Sequence, residues 1–308
     1  MTEMPSSSPS PAVLSISAVE RETGLTKDTL RVWERRYRFP EPGRDANGER
    51  VYSQEQVGKL RVLKRLIDCG HRPSKIVGRT VDELLALTAL AEKAPAATPA
   101  EHAQVLEFLR AHRVPDLRQA LGAALLRQGL AAFVLETVGP LNRHVGDAWM
   151  RGQLEVFEEH LYTETLQRLL RSALASLPQR AQSPHVLLTT FPGELHALGL
   201  LMAECMLALE GATCTPLGTQ TPIRDIVRAA ASHGANVVAL SFSLAYPVTQ
   251  ATEGLAELRA ALSPGVEIWA GGANPGLARR AVAGVHAIPE LAEIPLAVAH
   301  WRGTAARA

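Results

Sequence analysis

Three short apolar runs constrain the fold of this 308-residue chain more than any other feature: HVLLTT at 185–190, NVVALSFS at 236–243 and VEIWAGG at 266–272. Each is long enough for a buried strand and too short for a helix. Helix-period segments fill the gaps between them. Strands covered on both faces read as unbroken apolar runs, and their alternation with helices requires a parallel sheet with helices on both sides. From Pro184 onward the pattern predicts a helix over His196–Glu210, the stretch ATCTPLG, a helix over Pro222–His233, a helix near 250–262, a further helix after VEIWAGG, a weak strand near 285–288 and a last helix. Together these define a Rossmann-like doubly wound parallel sheet domain over 183–302.

The rest of the chain lacks strands of that kind. Residues 101–177 show only the helical period, with Leu106 and Leu109, then Leu121 and Leu125, then Val134 and Val138, then a long helix from about Leu154 to Leu174. Short connections between them point to a four-helix bundle over 98–178. EKAPAATPA at 92–100 reads as a linker, and the Ser- and Pro-rich residues 1–12 as a disordered leader. The overall architecture is therefore multidomain, α and α/β.

Charge separates the first 80 residues from the remainder. They carry 15 basic and 10 acidic side chains, against 17 and 21 in the rest, so a head of +5 precedes a body of −4. Such a head suits nucleic acid. Its short helices surround a turn-rich insert. Thr26 can cap a helix running to about Arg36, with Gly24 breaking the one before. This helix carries Lys27, Arg31, Arg35 and Arg36, which can read base edges in a major groove or hold phosphate. Residues 43–52 form a hairpin with Asn47-Gly48 at its turn, and Arg44, Arg50 and Tyr52 on it could grip the DNA backbone. Leu30 and Trp33 read as core.

The run from Thr26 to Tyr37 (T-x-x-T-L-R-x-W-E-R-R-Y), followed by F-P-x-P and G-x-R-x-Y-S, resembles the MerR family of winged helix-turn-helix regulators. The resemblance covers about 70 residues. It implies a winged helix-turn-helix domain over 13–82, double-stranded operator DNA as partner, and an assembly of two or more copies.

In the body, PGELHALG (192–199), LSFSL (240–244) and WAGGANPG (269–276) all follow predicted strands, at the sheet edge where doubly wound folds bind ligands. Glycines there permit close backbone approach. A loop histidine there can bind a metal through one ring nitrogen while Glu194 or Ser241 orients the other. His196 precedes Ser241 by 45 residues, and Ser241 precedes Gly271 by 30. This spacing resembles the cobalamin-binding domain, with its D-x-H-x-x-G, S-x-L and G-G elements. The resemblance implies His196 as lower axial ligand of cobalt, with Gly199, Ser241, Gly271 and Gly272 around the displaced nucleotide tail. Glu194 stands where Asp is usual, and Ser243 competes with Ser241 for the serine element.

Nine residues separate Trp149 from Glu159-His160. That pattern resembles the helical cap over the upper cobalamin face in the light-sensing CarH/LitR group of MerR regulators, where the Trp and Glu contact the adenosyl group. The resemblance then spans about 13–302. It implies a cytoplasmic repressor, nucleoid-associated when bound to DNA, whose adenosylcobalamin-dependent oligomer, a dimer of dimers, is dissolved by light. Met150 stands where the best-known members have a cobalt-binding histidine, and a thioether is a poorer partner for oxidised cobalt. His144 and His160 are nearby nitrogen donors. Two other readings stay open. A similar regulator could sense another cobalamin, haem or a bilin, or need no cofactor. A corrinoid carrier subunit of a methyltransferase would share the His and Gly elements but has no use for the head. No apolar run is long enough to span a membrane, and the three cysteines, Cys69, Cys205 and Cys214, have no metal-ligand spacing.

Overall fold

The structure, a computed structural model, describes residues 13–68, 71–91, 100–178, 182–274, 276–277 and 280–305. The leader, Cys69 and most of the linker lie outside these residues. Two compact units result, one built mainly from residues 13–91 and one mainly from residues 100–305.

The first unit begins with β1 (Val13–Ser15) and α1 (Ile16–Thr23). Gly24 ends α1 in the left-handed region, at φ 68°. Thr26 caps α2 (Lys27–Tyr37), its hydroxyl accepting from Thr29 N at 3.2 Å. Leu30 and Trp33 turn inward from α2. The hairpin follows as β2 (Gly43–Arg44) and β3 (Arg50–Ser53), then α3 (Gln54–Asp68), α4 (Pro73–Ile76) and α5 (Val81–Ala91). The hairpin loop is longer than a two-residue turn. Asp45 Oδ1 accepts from Asn47 N and Glu49 N, and Gly48 adopts φ 80°. β1 pairs with the outer edge of β3, which makes a three-stranded sheet in the order β1-β3-β2. The sequence pattern misses β1, because three residues carry no readable alternation. It also misses α5.

The second unit joins helices to a parallel sheet. Its helical part holds α6 (Ala100–Arg110), α7 (Val114–Gln128), the single turn α8 (Leu130–Ala132), a π-helical segment (Phe133–Val138), α9 (Gly139–Met150) and α10 (Val156–Ala175). The wide π turns directly precede Pro140, which has no N–H for the preceding turn. The sheet part alternates β4 (Gln182–Thr189), α11 (Leu198–Leu209), β5 (Ala212–Gly218), α12 (Ile223–Ser232), β6 (Val237–Ser241), α13 (Val248–Ala261), β7 (Glu267–Gly271), β8 (Val285–Ile288) and α14 (Ile294–Ala305). The helix expected between β7 and β8 falls largely outside the described residues.

All five strands run parallel in the order β5-β4-β6-β7-β8. Chain direction across the sheet therefore reverses between β4 and β6, which creates a crevice at their carboxyl ends. α11 is apolar almost all round, as a helix buried on every side must be. Its Leu200, Leu201, Met202, Cys205 and Met206 share one core with Leu166 and Leu170 of α10 and with Val186 and Leu188 of β4. A second core, centred on Phe191, Val238 and Leu255, fills the other face of the sheet.

Candidate functional sites

The crevice between β4 and β6 is built around one buried carboxylate. After β4 the chain enters a loop pinned by Thr190, whose hydroxyl donates to Glu194 O at 2.8 Å and accepts from Gln220 N at 2.8 Å. Gly193, at φ 86°, turns the chain so that Glu194 points inward, with only 1% of it exposed. One Glu194 oxygen accepts from His196 N (3.0 Å) and from His196 Nδ1 (2.6 Å), and the other accepts from Ser243 N (2.8 Å). A single side chain thus ties the loop after β4 to the loop after β6, across the switch point. α11 begins at Leu198, two residues later than the sequence pattern places it, which leaves His196 on the loop.

The electrostatics follow from these bonds. Burial pushes the Glu194 pKa up, but the hydrogen bonds from His196 and Ser243 outweigh it and hold the carboxyl below its usual range. The hydrogen bond to Glu194 raises the His196 pKa against the opposing cost of the enclosing protein, and the charges of Glu194 and Glu159 add to the rise. With Nδ1 donating to Glu194, Nε2 is the nitrogen left for a ligand. The imidazole is 63% exposed and open to the crevice.

The glycines have specific packing reasons. A Cβ on Gly199 would lie 2.9 Å from Ser241 Oγ, so α11 starts hard against the end of β6. A Cβ on Gly271 would meet Ile288 O at 2.7 Å. Gly272 has φ 116°, and a Cβ there would stand 2.2 Å from Phe242 O. Gly271 and Gly272 therefore shape the crevice by letting backbones close up, and the space beside Gly272 is filled by the protein itself. Ser243 Oγ is buried beside the Glu194 carboxylate without a hydrogen bond of good geometry.

These residues suit a metal delivered inside a macrocycle. Among the described residues no cluster of three or more His, Cys, Asp or Glu could hold a bare ion. One carboxylate-backed imidazole can supply a single axial bond. On the helical side, Trp149 is the penultimate residue of α9, half-buried against the core. Glu159, in the first turns of α10, accepts from Thr163 Oγ1 at 2.7 Å and is close enough to act on His196. His160 is 73% exposed and lies 3.8 Å from Glu159, while Met150 is buried. Sequence reasoning missed the Ser243 N contact and the role of Thr190. Both are tertiary, and neither leaves a signal in local spacing.

The first unit presents the candidate DNA-contact residues on α2 and the hairpin. Thr26, Arg31, Arg35, Arg36 and Arg44 are exposed, and Lys27 and Tyr37 are half-buried. Arg31 pairs with Asp28 at 3.3 Å, Lys27 lies 3.8 Å from Glu20, and the Arg36 guanidinium stands over the Tyr37 ring. Arg44 donates to Gly48 O at 2.6 Å, which braces the hairpin tip. Arg50 forms a two-pronged ion pair with Glu34 of α2 and so fixes the hairpin to the helix. Tyr52 requires a correction. Its inward position on β3 leaves it fully buried, with the hydroxyl unpaired, so it is a core residue and does not reach a DNA backbone.

Comparison with known proteins matches this layout. The model of the MerR HTH family regulatory proteins matches residues 14–78, and two B12 binding domain models match residues 102–173 and 184–295. The HTH-type transcriptional repressor CarH of Myxococcus xanthus is 33% identical over 261 residues, 81% of this chain and 85% of that one. The chain belongs to the MerR-type regulators that carry B12-binding domains. CarA of the same organism, also an HTH-type transcriptional repressor, is 31% identical over 233 residues, 74% of this chain and 76% of that one. A monomethylamine corrinoid protein from Methanosarcina barkeri shares the fold of the B12-binding part, at TM-score 0.53 and 16% identity over 64% of this chain and 96% of its own. As a MerR-type regulator the chain is a DNA-binding transcription regulator rather than an enzyme, which sets the methyltransferase carrier reading aside. Among the described residues no helix is long and apolar enough to cross a membrane.

Proposed function

We propose that this protein is a repressor that binds operator DNA through α2 and its hairpin and holds adenosylcobalamin in the crevice of its second unit. The observation that carries the reading is the Glu194–His196 pair. A buried carboxylate fixes Nδ1, so Nε2 would be the atom through which His196 holds the cobalt from below. Ser241 and Ser243 would hold the part of the cofactor below the metal, and Trp149 and Glu159 would cover it from the helical side. Bound adenosylcobalamin would supply a cobalt–carbon bond that light can break. The roles of Trp149 and Glu159 are then to sense the upper group and to couple its presence to assembly of several copies, a dimer of dimers. Such an assembly raises operator affinity by presenting several heads at once. The ligand must favour one assembly state over the other for the switch to work.

The test is gel filtration in the dark with adenosylcobalamin, repeated after green light, alongside absorbance spectra. The expected result is a larger species in the dark that dissociates in light, together with a His196→Ala variant whose cobalamin uptake falls about a hundredfold. An elution volume indifferent to both cofactor and light would overturn the switch. Met150 favours a second reading, in which a non-adenosyl cobalamin, haem or a bilin is the signal, because a buried thioether replaces a nitrogen donor beside Trp149. The spectrum of the purified protein separates the two.

A further inference from the structure

The helical part of the second unit holds a buried polar contact that the crevice chemistry does not use. Tyr162 of α10 is only 2% exposed, and its hydroxyl donates to Asn142 Oδ1 of α9 at 2.6 Å. Burial pushes the Tyr162 pKa well up and the charge of Glu159 adds to the rise, so the phenol stays protonated as a donor. The Asn142 amide donates in turn to Met202 Sδ of α11 at 3.4 Å. One small network therefore joins three helices around a core of apolar side chains. Apolar packing alone tolerates small slips of one helix along another. A buried hydrogen bond does not, because breaking it strands a donor and an acceptor away from water. Asn142 and Trp149 lie two turns apart on one face of α9, and Glu159 and Tyr162 lie one turn apart on α10. The Tyr162–Asn142 bond therefore fixes the helix that carries Trp149 against the helix that carries Glu159. A second tether holds the loop between these helices. Arg110, at the end of α6, donates from Nε to Gln153 O at 3.1 Å and from Nη2 to Gln153 Oε1 at 3.3 Å. Gln153 N donates to Ala148 O of α9 at 2.8 Å.

We infer that Tyr162 and Asn142 are positioning residues, which preset the placement of Trp149 against Glu159 before any ligand arrives, with Arg110 as an outer tether on the same helix pair. The inference rests on the reading of Trp149 and Glu159 as the cover over the upper face of a cobalamin. Tyr162 and Asn142 act through those two residues. A cover already ordered in the ligand-free chain loses less freedom on binding. The gain falls on ligands that reach the cover, so the network sets preference for a bulky organic upper group over a bare hydroxide.

The experiment titrates full-length protein in the dark with adenosylcobalamin and, separately, with hydroxocobalamin, for the wild type, Tyr162→Phe, Arg110→Ala and Trp149→Ala. Tyr162→Phe should weaken adenosylcobalamin binding about tenfold and leave hydroxocobalamin within about twofold of wild type. Arg110→Ala removes an exposed tether and should shift the same ratio by about threefold. Equal losses for the two cobalamins in Tyr162→Phe would mark a purely structural role and overturn the inference, and so would wild-type affinities for both. If Tyr162→Phe does not fold, Arg110→Ala decides: a loss confined to adenosylcobalamin supports the inference, and an unchanged ratio overturns it. Trp149→Ala tests the underlying reading. If it lowers neither affinity, the cover reading falls and the inference with it. If it lowers adenosylcobalamin affinity alone while Tyr162→Phe and Arg110→Ala do not, only the inference falls. A wild type that takes up neither cobalamin would overturn the cobalamin reading itself.

Discussion

The head and the crevice use their residues in opposite ways. On α2 the candidate contact side chains are mostly exposed and spread over a surface, so each would add a modest share of affinity. In the crevice the elements converge on Glu194, which holds two strand ends and one imidazole, and on glycines that have no room for a methyl group. Surface recognition by many charges degrades gradually. A shaped crevice fails abruptly. The difference explains why the head is readable as a string of residue types, while the crevice is readable only as spacing between distant short elements.

The largest effect should come from Gly272→Ala. It forces a methyl group into the Phe242 backbone at a positive φ, and the two costs together amount to about 3 kcal/mol or more. Chemical denaturation of the whole protein should show the transition of the second unit moved to much lower denaturant. A shift below about 1 kcal/mol would mean that the β6 and β7 loops are soft, and the contrast with the head would lose its basis. A middle-sized effect is expected for Arg35→Ala. Binding to duplex DNA should weaken about tenfold, and the salt dependence should become shallower by about one unit if Arg35 meets a phosphate. Fluorescence anisotropy at several salt concentrations measures both, and the elution volume should not change. A total loss of binding would make the head as brittle as the crevice.

The smallest effect is expected for Tyr52→Phe. The buried hydroxyl has no hydrogen-bond partner, so its removal should leave DNA affinity unchanged and stability unchanged or raised by up to about 1 kcal/mol. Anisotropy and thermal melting decide it. A tenfold loss in DNA affinity would restore Tyr52 to the contact surface.

Much of the fold was legible because its signals are local. Apolar runs marked β4, β6 and β7, and Gly24 and Thr26 marked the boundary between α1 and α2. Positions 196, 241 and 271 were found by their spacing, and the structure brings these stretches to one edge of the sheet. What escaped depends on partners far away in the chain. Tyr52 reads as a polar aromatic on a hairpin until the alternation of β3 against β1 turns it inward. The link from Glu194 to Ser243 spans 49 residues and uses a backbone N–H, which any residue except proline would offer.

The all-round apolar surface of α11 has a consequence for how such a chain can be divided or recombined. A cut near residue 180 would strip α10 from α11 and lay bare the leucines and methionines that the two sides share. The shared core would be split, and only the second core, on the other face of the sheet, would stay whole. The helical part and the sheet part should therefore be more stable together than either is alone. A gene fusion that joined only one of them to a new output domain would leave that shared apolar surface exposed.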